Sequence, residues 1–191
     1  MPKLLPDITT AFLDRDGVIN VDSPDYIKSW AEFRFIPGSL EAIARLTRAG
    51  IAVIVITNQS AVNRGMISPE ALETMHRRMC RTVADSGGCI TDIFFCPHRP
   101  DEDCDCRKPE PGMILAARDR YGFDLASAVM VGDSEKDILT GRAAGCGATV
   151  LVKTGNGETA IQSLAQKGAL PDQVADDLAA AANWIIDQRH A

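Results

Sequence analysis

The stretch Phe12-Leu13-Asp14-Arg15-Asp16-Gly17-Val18-Ile19-Asn20 decides how the chain is read. The apolar run 8–13 leads into it and has the character of a buried strand. Two carboxylates, Asp14 and Asp16, stand at its end, followed by glycine. Residues two apart on a strand point to the same side. Both acids are therefore expected at the carboxyl edge of a sheet, where open α/β folds bind their ligands. Two such acids repel each other unless a cation or a shared proton intervenes. A divalent metal is the simplest remedy, and a solvated turn is the bland alternative.

Apolar, β-rich runs recur at 51–56, 92–95, 128–131 and 149–152, and helical patterns fall between them at 38–49, 69–86, 112–122, 136–145 and 158–168. That alternation predicts an α/β fold: a Rossmann-like parallel sheet with helices on both faces. At 191 residues the chain is expected to form one domain, 1–191. Segment 21–37 carries Asp22, Pro24, Tyr26, Trp30, Phe33 and Phe35 without clear periodicity. It is expected as a compact loop or short ribbon that either shapes a pocket or closes the core. An alanine-rich tail helix is expected over 175–186.

Charged residues make up 24% of the chain, apolar residues 46%, and the net charge is −6. This balance argues against a nucleic-acid partner, which favours a basic patch. No apolar run is long enough to span a membrane. The first seven residues lack the apolar core and cleavage site of a signal peptide. A cytoplasmic monomer is the resulting expectation. Cysteines in that compartment stay reduced, so the six in this chain are not read as disulfides.

Cys96, His98, Cys104 and Cys106 instead form a C-x-H, C-x-C set within eleven residues. Three thiolates and one imidazole complete a tetrahedral zinc site with no open position, hence a structural one. Arg107 and Lys108 follow directly and could meet an anion, Arg as a fork and Lys as a point charge. Thr57-Asn58-Gln59-Ser60 ends the second strand, where a hydroxyl and turn N–H groups can cradle phosphate or simply cap a helix. Gly132-Asp133-Ser134-Glu135-Lys136-Asp137 ends the fourth strand and brings two more carboxylates to the same edge. Hard oxygen ligands of this kind suit Mg²⁺. Thr154-Gly155-Asn156-Gly157 lacks a P-loop ending and reads as a helix entrance only. His76 and His190 receive no role, and Cys80, Cys89 and Cys146 are read as small buried or surface residues.

Asp14-x-Asp16-Gly17, Thr57, Lys108 and Gly132-Asp133-x₃-Asp137 occur in the order found in the haloacid dehalogenase superfamily of phosphotransferases, and the chain resembles that superfamily over nearly its whole length. The zinc-type loop narrows the resemblance to the histidinol-phosphatase-related subfamily. The resemblance implies a haloacid dehalogenase-like fold without a large cap domain. It implies a phosphatase of a small-molecule sugar bisphosphate, with Mg²⁺ as catalytic cofactor and Zn²⁺ as structural one. By that resemblance Asp14 is the nucleophile and Asp16 the acid and base. Mg²⁺ is held by the Asp14 carboxylate, the Asp16 carbonyl and Asp133. Thr57 and Lys108 hold the phosphoryl group, and Asp137 orients Lys108 or a metal-bound water. Asp22, Asn58, Gln59, Ser60, Arg107 and Ser134 join Lys108 as candidate substrate contacts, with Arg107 on the distal phosphate. Ser134 departs from the lysine expected there. Histidinol phosphate, a nucleic-acid 3′-phosphate and a non-catalytic zinc-loop module are the competing readings.

Overall fold

The computed structural model describes residues 7–188. The segment 1–6, read above for targeting signals, and His190 lie outside the described residues.

Six strands form one parallel sheet in the order β3-β2-β1-β4-β5-β6: β1 Thr10–Leu13, β2 Ala52–Asn58, β3 Asp92–Cys96, β4 Ala128–Gly132, β5 Ala148–Val152 and β6 Gln173–Ala175. All four residues of β1 and all five of β4 and β5 are buried. Strands covered on both faces read as continuous apolar runs, which is why the sequence betrayed them. β6 was not expected; its three residues lie just before the tail helix and are too short to leave a pattern.

The side-chain alternation of β1 sorts the helices. Ala11 and Leu13 face the cluster built by α1 (Ser39–Arg48), α2 (Pro69–Asp85) and α6 (Leu178–Asp187). Phe12 faces the opposite cluster, with Met113, Ile114 and Ala117 of α3 (Gly112–Tyr121) and Ala144 of α4 (Glu135–Ala144). α4 also packs Ile138 against Ala160 and Leu164 of α5 (Gly157–Gln166). The tail helix buries Leu178, Ala181, Ala182 and Ile185 as expected, but begins three residues later than read, because β6 occupies its start. Among the described residues no helix is long and apolar enough to cross a membrane.

Strand order reverses at β1, with β2 on one side and β4 on the other. That switch point leaves a crevice at the carboxyl edge. Two long connections, 14–38 and 97–111, border it, and neither contains a helix, so no cap domain is inserted. The first divides its duties. Trp30 stacks on Phe33, Phe35 meets both edge-on, and the three rings, with centroids 5.0 to 6.2 Å apart, close the core. Asp22, Ser23, Pro24, Tyr26 and Ile27 line the crevice.

Candidate active site

The crevice, about 500 Å³, is lined by Asp14, Asp16, Thr57, Asn58, Gln59, Ser60, Arg107, Lys108, Asp133 and Ser134, together with Asp22 and others of the 14–38 connection. The strand-end motifs, more than 100 residues apart in sequence, thus meet in one place. Asp14 follows β1 directly, and its N–H continues the ladder to Val131 O at 2.9 Å. Lys108 Nζ lies 2.9 Å from Asp14 Oδ2, 2.6 Å from Asp137 Oδ1 and 3.0 Å from Ile56 O. All three ammonium hydrogens therefore have an oxygen within reach, in a side chain that is 3% exposed.

Asn58 and Ser134, expected as substrate contacts, line the crevice and also bond to neighbouring residues. Asn58 Oδ1 accepts from Lys108 N at 3.1 Å and Nδ2 donates to Lys108 O at 3.2 Å, fixing the lysine main chain. Ser134 donates its backbone N–H (3.0 Å) and its hydroxyl (2.6 Å) to Asp137 Oδ2. Gln59 Nε2 lies 2.9 Å from Thr57 Oγ1 and 2.8 Å from Asp16 Oδ2, and donates to both. Short polar side chains at strand ends commonly bond nearby backbone or neighbours in this way. Ser60 is buried against the crevice wall.

The glycine turn after β5 is more than a helix entrance. Asp133 Oδ2 accepts from Asn156 N at 2.8 Å and from Asn156 Nδ2 at 3.2 Å. Asn156 Nδ2 also reaches Asp22 Oδ2 at 3.3 Å, and Thr154 Oγ1 donates to Gly17 O at 2.6 Å. Gly155 has φ +60°, and a Cβ there would overlap Asp133 Oδ2. Gly155→Ala is therefore expected to displace Asp133 and raise the Mg²⁺ concentration for half-maximal activity about tenfold or more, read by metal titration of the rate. The only clue in the sequence was a Gly-Asn-Gly at a strand's carboxyl end.

One ligand oxygen from each of Asp14, Asp133 and Asp137 falls within 4.8 Å of the others. Three carboxylates against the single Lys108 ammonium leave two negative charges uncompensated. Burial, then the Asp137 charge, pushes Asp133 up to about 7. Burial likewise carries Asp14 well above the carboxylate range, against the pull of Lys108. A dication fits this charge and spacing. Asp137 is engaged by Lys108 and Ser134, Asp14 by Lys108 and Arg15 N, and Asp133 by Asn156, so an ion binding here shares its ligands with these donors.

Asp16 stands apart from that cluster. Arg15 Nη2 reaches both its oxygens at 2.8 Å, and Asn20 Nδ2 adds a bond of 2.8 Å. Burial opposes the charge, but the Arg15 guanidinium and the donors from Arg15, Asn20 and Gln59 outweigh it and hold the carboxyl below its ordinary value.

Next to the crevice, at the end of β3 and on the connection that carries Arg107 and Lys108, the zinc-type set is assembled. Cys96 Sγ lies 3.7 Å from Cys104 Sγ and 3.5 Å from His98 Nδ1; Cys106 Sγ lies 3.6 Å from Cys104 Sγ and 3.4 Å from His98 Nδ1. A tetrahedron of sulfurs about 2.3 Å from zinc has edges of about 3.8 Å, slightly less toward nitrogen. The donor set therefore fits zinc. Cys96 O accepts from Gln59 N at 2.7 Å, and His98 O from Arg107 Nη1 at 2.7 Å, which ties this loop to the crevice.

This fold and site are those of the haloacid dehalogenase-like hydrolases, and residues 105–181 match the HAD-hydrolase-like family model. The chain is 49% identical over 174 residues to the D-glycero-beta-D-manno-heptose-1,7-bisphosphate 7-phosphatase of Pseudomonas aeruginosa, covering 91% of this chain and 96% of that protein. It is 47% identical to the enzyme of the same name from Bordetella bronchiseptica, covering 92% and 97%. A crystal structure of D,D-heptose 1,7-bisphosphate phosphatase from B. bronchiseptica, complexed with magnesium and phosphate, superimposes with a TM-score of 0.87 at 46% identity, over 95% of this chain and 99% of that one. The chain belongs to the family of D-glycero-beta-D-manno-heptose-1,7-bisphosphate 7-phosphatases.

Proposed function

We propose that this chain is a Mg²⁺-dependent phosphatase that removes the 7-phosphate of D-glycero-β-D-manno-heptose 1,7-bisphosphate. The names of its relatives support the substrate, and the relative solved with magnesium and phosphate supports the cofactor. The observation in this chain that carries the chemistry is Lys108 bridging Asp14 and Asp137 beside Asp133.

Asp14 attacks the phosphorus and forms an aspartyl phosphate. Lys108, paired to the attacking carboxylate, is placed to hold the equatorial phosphoryl oxygens. Thr57 Oγ1 accepts from Gln59, which leaves its own hydroxyl hydrogen for another phosphoryl oxygen. Phosphoryl transfer depends on this positioning and charge stabilisation more than on bond-making by the protein. Asp16 gives a proton to the leaving sugar oxygen, then takes one from the water that cleaves the acyl phosphate. Asp14, Asp133 and the Asp16 carbonyl would hold Mg²⁺, which neutralises charge on the transferred group. The Cys96, His98, Cys104 and Cys106 set would hold Zn²⁺ as a structural clamp.

The second phosphate needs cations of its own. Lys108 and Arg15 are both engaged with carboxylates. Arg107 has one bond, to His98 O, and the rest of its fork has no protein partner among the described residues. Lys136, in the first turn of α4, lines the same crevice, is exposed and has no carboxylate partner among the described residues. It stands in for the lysine expected at Ser134. Lys136→Glu should raise KM for the bisphosphate about three- to tenfold, the scale of one screened rim charge. KM for a sugar monophosphate should change less; equal changes would remove Lys136 from the distal site.

Phosphate release from both heptose 1,7-bisphosphate anomers, histidinol phosphate and fructose 1,6-bisphosphate tests the reading. The β-anomer is expected to have the highest kcat/KM. Preference for histidinol phosphate would overturn it.

A further inference from the structure

The mechanism leaves one buried cation and one buried imidazole without work. Arg15 is 1% exposed, yet its fork grips Asp16: Nη2 takes both oxygens and Nε reaches Oδ1 at 3.2 Å. Burying an arginine is costly unless every donor is matched. The matching partner on the far side is His76 of α2, whose Nε2 lies 3.2 Å from Arg15 Nη1. Met75 Sδ of the same helix is 3.8 Å from that nitrogen, and the Phe33 ring lies 5.9 Å from the guanidinium carbon.

Arginine only donates. His76 Nε2 must therefore accept, and the ring carries its hydrogen on Nδ1. Burial and the Arg15 charge both favour this neutral ring and bring His76 down to about 3. Arg15, Asn20 and Gln59 all donate to Asp16, and Arg15, the one that reaches both oxygens, fixes the plane of the carboxyl. Its aim toward the reacting oxygen thus depends on where Arg15 sits, and Arg15 sits where His76 holds it.

We propose that His76 is a positioning residue of the phosphatase reaction: it accepts from Arg15 and so sets the fork that aims Asp16. This rests on the role of Asp16 proposed above. A histidine present only to fill the core would be replaceable by any side chain of similar size. One present as an acceptor is replaceable only by another acceptor.

His76→Phe keeps the bulk and the edge contact with the Phe95 ring, 5.9 Å away, but removes the acceptor. Its kcat should fall about 10- to 100-fold, the scale of a misplaced catalytic group, with KM within about twofold of wild type. His76→Gln places an amide oxygen near the position of Nε2 and should recover most of the lost kcat at similar thermal stability. Wild-type kcat in H76F, or a loss that H76Q does not restore, overturns the proposal. Should H76F fail to fold, ¹⁵N shifts of the His76 ring in the wild-type protein decide: an unprotonated Nε2 supports it, and an unprotonated Nδ1 overturns it. All rates are taken as ratios on the best substrate of the panel, so a wrong substrate leaves this test intact. Asp16→Asn is assayed alongside; retained turnover there would refute the parent mechanism rather than the positioning.

Discussion

Asp14→Asn is expected to abolish phosphate release, lowering kcat by at least about 10³-fold, or roughly 4 kcal/mol of transition-state stabilisation. An amide of the same shape can still accept from Arg15 N, which bonds Asp14 Oδ1 at 2.7 Å. It cannot become an acyl phosphate by attack. The fold should not suffer. Asp14 is one of three crowded carboxylates, and burial holds it well above the carboxylate range. Removing its charge relieves repulsion, while Lys108 keeps Asp137 as a partner. The thermal midpoint in metal-free buffer should therefore stay equal or rise, and zinc content should be unchanged. Turnover within tenfold of wild type would exclude Asp14 as nucleophile.

The second large effect is at the sulfur cluster. Structural zinc contributes on the order of 10 kcal/mol of folding free energy in zinc-finger peptides. The connection 97–111 has no helix or strand of its own, and its apolar packing on the neighbouring core comes through Cys104 and Cys106. Cys104→Ser, or removal of zinc by a chelator, should open this loop to proteolysis while the sheet stays folded. Lys108 is two residues beyond Cys106, so kcat should drop about 100-fold as the lysine keeps its bonds to Asn58 but loses the support of the metal loop. The Mg²⁺ requirement of the residual activity should not change. A metal-free protein with a protease-resistant loop and full activity would refute the structural zinc.

Arg15 and His76 show what a single chain of letters conceals. Arg15 lies between two acids and looks like solvated charge, yet it is among the largest fully buried side chains. His76 fits the apolar face of α2 and looks like filler. Their meeting, 61 residues apart, has no trace in periodicity or spacing.

The sequence by itself determined the parallel α/β sheet, the four strand-end motifs and the four zinc-type ligands. Buried strands must be apolar throughout, and metal-ligand sets and acid pairs must keep their residue types. Tertiary structure alone decided which of these groups bond to one another. Asn58, Gln59 and Ser134 bond to neighbouring residues of the site, Asn156 and Gly155 seat Asp133, and Lys136 has no carboxylate partner among the described residues. A side chain's role depends on which partners reach it first, and those partners are set by strand order and loop closure rather than by neighbours in the chain.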